Sequence, residues 1–178
     1  MADYFEQIVV QQSIPETDMT PPERLLLSRI FQSERDGEAW SFFAEDNPCT
    51  MVHATRAELV EALGSSPDHD STAHRYVSER LAAASAQAEA IDLDLSGTSW
   101  ELFLQDIVKR SQTLVYLTVV ATFTCSRMRP DGFGGMAVLI TADAVRGKST
   151  NDLIEEFLSE GGLDGEDRGP KEVRHDHS

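Results

Sequence analysis

The sequence predicts an α+β fold: one domain on a mostly antiparallel sheet, with a long central C-terminal hairpin and about five helices. Three observations predict it. Five positions read as helix starts, several other stretches are β-branched or alternate in hydrophobicity, and the two kinds of segment do not alternate as a parallel βαβ fold requires.

The helix starts come first. Thr20 with Glu23, Thr55 with Glu58, and Thr98 with Glu101 each place a hydroxyl at an N-cap and a carboxylate three residues on, so each pair can satisfy two orphan backbone donors reciprocally. Ser149 with Asp152 is a shorter version, and Ser66 before Pro67 sets a cap ahead of a proline whose missing N–H costs nothing at the first helical position. An apolar face follows each start: Leu26, Leu27, Ile30 and Phe31; Ala57, Val60, Ala62 and Leu63; Ala73, Tyr76, Val77 and Leu81; Trp100, Phe103, Leu104 and Ile107; Leu153, Ile154, Phe157 and Leu158. These five faces predict a shared core.

Strands are expected at Tyr4–Gln12, Glu38–Ala44 and Ile91–Leu95, the last an edge strand with Asp92 and Asp94 on its polar side. Thr113–Cys125 is apolar or threonine on both faces, which predicts a central strand, and Gly135–Ala142 follows closely enough to pair with it as an antiparallel hairpin. The expected order is β-α-β-α-α-β-α-β-β-α. The segment 160–178 is rich in glycine and charge and reads as an acidic, disordered tail on a domain spanning 1–159.

Charge is unevenly placed on this chain of net charge −16: residues 1–97 carry 18 Asp/Glu against 6 Arg, and residues 98–159 carry 7 against 6. An acidic first half repels nucleic acid and membrane surfaces and attracts a basic protein. Direct nucleic-acid binding and membrane association are therefore not expected. Cys49 and Cys125 form no CxxC pair, and no basic, apolar leader or membrane-length apolar run is visible, which points to a reduced cytoplasmic protein.

Few strings carry chemistry. Ala142–Thr150 ends in Gly147, Lys148, Ser149 and Thr150, like a phosphate-binding loop, but Ala142 replaces the first glycine and Asp143 puts a carboxylate where phosphate charge would sit. The hairpin nevertheless suggests one basic cluster, with Lys109 and Arg110 near Arg146, Lys148 and Ser149, as an anion site. The loop carrying Arg127, Arg129 and Phe133 is rich in glycine, which permits positive φ, and offers arginine and aromatic anchors for a partner. Asp68, Asp70, Asp92 and Asp94 are the acids expected to meet a basic partner. The first two, with His69 and His74, match no metal-ligand spacing, and Cys125 has no histidine placed as a base. No catalytic set, metal or cofactor is predicted.

The stretches Asp94–Glu101 and Met128–Asp143 are similar to segments of small acidic proteins of proteobacterial plasmids and integrative elements. That resemblance implies a genetic setting in which such proteins serve as counter-defence factors or regulators, some imitating the charge of nucleic acid. The leading expectation is a non-enzymatic protein that engages a basic, nucleic-acid-binding protein surface. The alternative is a small-ligand or phosphate-binding protein, or an enzyme, using the loops that flank the C-terminal hairpin.

Overall fold

A computed structural model describes residues 3–66, 70–129 and 131–162. In chain order its strands are β1 (Tyr4–Val10), β2 (Ile14–Pro15), β3 (Gln32–Asp36), β4 (Ala39–Ala44), β5 (Met51–Thr55), β6 (Ala90–Asp94), β7 (Tyr116–Cys125), β8 (Phe133–Thr141) and β9 (Val145–Ser149). Its α-helices are α1 (Pro21–Ile30), α2 (Arg56–Gly64), α3 (Thr72–Ala83), α4 (Trp100–Arg110) and α5 (Thr150–Glu160). The fold is α+β, as predicted.

One antiparallel sheet runs β3-β4-β1-β7-β8-β9, with β2 resuming against β4 after the chain bends beyond β1. A separate ribbon pairs β5 with β6. The long hairpin is where it was expected, with Leu117 opposite Ile140 and Val119 opposite Val138, and β7 sits centrally between β1 and β8. On the inner face, Ile8, Val10, Phe42, Leu117, Val119, Val138 and Ile140 are buried against Leu26, Leu27, Phe103, Leu104 and Ile107 of α1 and α4. Period-two alternation on the strands and 3.6-residue spacing on the helices bring these residues into one core.

Four strands were not expected. Two of them, β3 (Gln-Ser-Glu-Arg-Asp) and β9 (Val-Arg-Gly-Lys-Ser), hold almost no apolar residue and owe their extended form to pairing with an apolar neighbour. Gly37, at φ +61°, supplies the left-handed residue that turns β3 into β4. The string resembling a phosphate loop is thus an edge strand. Pairing of Lys148 with Ala137 and Arg146 with Leu139 straightens its backbone and removes the concave turn that a phosphate cradle requires.

Three of the expected capping boxes form, at Thr20, Thr55 and Ser149. The other two helix starts are shifted. Ser71, rather than Ser66, caps α3, because its hydroxyl accepts from the His74 N–H while the Asp106 carboxylate takes the Thr72 N–H at 2.7 Å. The cap residue of α4 is Ser99, one residue beyond Thr98, and its hydroxyl bonds the Glu101 carboxylate instead of a backbone donor. Thr20 is itself buried, so Thr20→Ala leaves the Glu23 N–H without its acceptor and is expected to cost about 1 kcal/mol. A lower urea midpoint at unchanged slope is the readout.

The fifth apolar face departs from the expectation of a shared core. No residue of α5 is buried, and Leu153, Ile154, Phe157 and Leu158 all remain exposed. Glu160, expected to open the tail, is the last residue of this helix, while 163–178, the remainder of the expected tail, lies outside the described residues.

Candidate interaction surface

Ion pairing divides the charges into two populations. In the acidic half, Arg24 and Arg35 both contact Glu16, Arg29 contacts Glu58 at 3.0 Å, and Arg56 donates to the carbonyls of Ser85 and Ala88 past the end of α3. Arg80 donates to the Asp94 carbonyl and stacks over Tyr76 at 5.2 Å. These cations serve the fold. By contrast, the carboxylates of Glu38, Glu45, Asp46, Glu61, Glu79 and Glu89 are exposed and form no ion pair among the described residues.

The acids singled out from the sequence are distributed as follows. On the β5–β6 ribbon, Asp92 lies opposite His53, whose Nδ1 is 2.6 Å from the Asp92 carboxylate on an exposed surface. Asp94 accepts the Ser96 N–H, and its hydrogen bonds with Ser96 hold the carboxyl below its usual range, so this acid stays ionised while it pins the turn after β6. Asp70 is exposed, and Asp68 lies outside the described residues. Among those residues no group of three His, Cys, Asp or Glu is arranged to hold a metal ion.

The hairpin loop differs from its reading. Arg127 and Arg129 are exposed, with Arg129 3.6 Å from Asp131, but Phe133 is the first residue of β8 and pairs with Thr124. None of the loop glycines has positive φ. Gly134 is needed for another reason: a Cβ there would sit 2.2 Å from the Phe123 ring, which lies across the backbone of the paired strand. Cys125 is a buried thiol, whereas Cys49 is exposed with its Sγ 3.0 Å from the Met51 carbonyl oxygen.

The basic residues expected to share an anion site are divided by the sheet. Arg110 turns to the helical side, where it contacts the buried Glu23 carboxylate at 2.5 Å and donates to the Asp18 carbonyl. Lys109 contacts Asp106 at 3.2 Å. Burial raises the Asp106 carboxyl, but hydrogen bonds from Thr72 and Lys109 outweigh it and hold the group below its usual range. Arg146 and Lys148 project from the other face, beside Leu139 and Ala137, and Lys148 contacts Glu156 of α5. Ser149 serves as the helix cap, its hydroxyl accepting from the Asp152 N–H at 3.1 Å.

That other face is the feature the sequence did not reveal. Phe5, Val9, Tyr116, Val120, Phe133 and Leu139 remain exposed there, with α5 lying along the β8–β9 side, where its Leu153 shares a groove with Val120 and Ala137. A shallow groove of about 480 Å³ runs over it, lined by Gln11, Thr118, Val120, Leu139, Arg146 and Lys148. Apolar residues on both faces of β7 read as burial on both sides, whereas only one side is packed. Exposed apolar patches are the surfaces through which proteins meet other proteins, membranes or ligands. Comparison of the chain with protein-family models, with curated proteins and with solved structures finds no match. Among the described residues no helix is long and apolar enough to cross a membrane.

Proposed function

We propose that this protein is a non-enzymatic interaction protein whose acidic half engages a basic surface of a partner protein, as a counter-defence or regulatory factor acting on a nucleic-acid-binding protein would. One observation carries the reading: Arg24, Arg29, Arg35, Arg56 and Arg80 of the acidic half are committed to the chain's own carboxylates and carbonyls, leaving Arg75 as an exposed cation, while carboxylates such as Glu45, Asp46, Glu61, Glu79 and Glu89 face solvent. Internal pairing of most of the cations leaves a predominantly negative field at the surface, and such a field raises the encounter rate with an oppositely charged surface. Arg127, Arg129 and Phe133 at the hairpin end supply a second contact of the kind that anchors a complex once formed.

The test is capture from host-cell extract on the immobilised full chain. The reading expects a partner with a basic surface that elutes as salt rises, and a bait carrying Glu45→Lys, Asp46→Lys and Glu79→Lys that retains at most a tenth of it. Capture unchanged by both salt and charge reversal contradicts it.

A further inference from the structure

We propose that the exposed outer face of the sheet, bordered on its β8–β9 side by α5, is the interface of a symmetric homodimer, so that its occupant is a second copy of this chain. Strand register supplies the argument. Gln32 pairs with Phe43, Phe43 with Val9, Val9 with Val120, Val120 with Ala137 and Ala137 with Lys148, which makes one continuous row across the outer face. The neighbouring row begins at Glu34 opposite Ser41 and ends in Thr118, Leu139 and Arg146, with the Gln11 N–H donating to the Thr118 carbonyl at 2.8 Å. Glu34 and Arg146 therefore stand at opposite edges of the same row. The outward positions of the three strands between β4 and β9 hold Phe5, Gln7, Val9, Tyr116, Thr118, Val120, Thr122, Ala137 and Leu139, none of them charged.

A surface that is acidic at one edge, neutral and apolar in the middle and basic at the other edge is complementary to itself. A two-fold axis running along the strands between β1 and β7 lays β1 over the partner's β7, β4 over its β8 and β3 over its β9. Each Glu34 then meets the other copy's Arg146, twice by symmetry, and Val9, Val120 and Leu139 are removed from water between them. Isologous contacts of this kind close on themselves without forming chains. Aligned sheets pack face to face in this way about 10 Å apart.

Charge decides between a second copy and a basic partner. Two molecules of net charge −16 can approach closely only through a surface that carries little acid, and the middle of this face carries none, whereas a basic partner would meet Arg146 here. The area is adequate. Six strands about 4.8 Å apart and roughly seven residues long present roughly 650 Å², near the ~800 Å² per partner of a stable interface. Leu153 of α5 lines a groove with Val120, Thr122 and Ala137, so the exposed stripe of that helix continues the same apolar surface.

Sedimentation equilibrium of the full chain over a concentration series tests the proposal. The expected species at tens of micromolar has about twice the 19.7 kDa mass of one chain. Val120→Glu with Leu139→Glu should weaken association at least tenfold with an unchanged circular dichroism spectrum, because both side chains face solvent in the monomer. Arg146→Glu and Glu34→Arg should each weaken it severalfold, and the two combined in one chain should restore it to within about threefold. A chain that stays monomeric at 200 micromolar, a dimer indifferent to Val120→Glu with Leu139→Glu, or charge swaps that fail to compensate would each overturn it.

Discussion

Replacing Arg110 with Met is expected to destabilise the protein by about 3 kcal/mol at pH 7, the low end of what leaving a buried carboxylate unpaired costs. Glu23 is fully buried, whereas Arg110 is 29% exposed, so removing the arginine strands a charge that solvent cannot reach. Burial already holds the Glu23 carboxyl above its usual value of 4.5, against the opposing influence of Arg110 and Thr20. Loss of Arg110 raises it further. A raised carboxyl pKa means that the folded state prefers the neutral acid. The deficit is therefore full above the folded-state pKa and fades as pH falls through it toward 4.5. Glu23→Gln in the Arg110→Met background should recover most of the stability at pH 7, since the amide oxygen can still accept the Thr20 N–H that Glu23 Oε2 now accepts at 2.8 Å. Thermal melts of the two variants at pH 7 and pH 5 provide the check, with the single variant closing on wild type at the lower pH.

Phe103→Ala should cost about 3–5 kcal/mol, the range for deleting a fully buried aromatic from a packed core. Phe103 belongs to the single core cluster and lines a crevice with Ile30, Leu95 and Trp100, so its loss opens a cavity on the inner side of α4. The outer face predicts the opposite. Val120 is 39% exposed and Leu139 is 40% exposed, and truncating either to Ala should cost under about 1 kcal/mol in dilute solution, where the chain is monomeric. Urea melts of the three variants at one low protein concentration compare the two faces directly. Similar costs on both faces would mean that the outer face is packed as tightly as the inner one.

What the sequence made legible, and what it hid, follows from the range of the interactions involved. Capping boxes at Thr20, Thr55 and Ser149 are local, and they read correctly from residues three apart. The long hairpin was visible because β7 and β8 are apolar along their own length. The polar strands β3 and β9 were hidden, because their extension is imposed by β4 and β8 from across the sheet. Arg110 reads from the sequence as one member of a basic cluster, and only its approach to Glu23, 87 residues away, makes it the counter-ion of a buried carboxylate. The stripe Leu153, Ile154, Phe157 and Leu158 has the periodicity of a core helix, and periodicity does not distinguish a face packed in its own chain from one left for another molecule.

Recruitment of a basic partner by exposed carboxylates of the acidic half is read out by the association rate constant of the captured partner as ionic strength rises. Opposite charges accelerate encounter and are screened over about 10 Å at 0.1 M salt, so the rate constant should fall at least tenfold between 20 mM and 500 mM salt. Reversal of Glu45, Asp46 and Glu79 to Lys should lower the on-rate at low salt, and Arg127→Ala with Phe133→Ala should act on the off-rate instead. An association rate that is independent of salt and unaffected by the acid reversals would mean that these carboxylates do not recruit the partner.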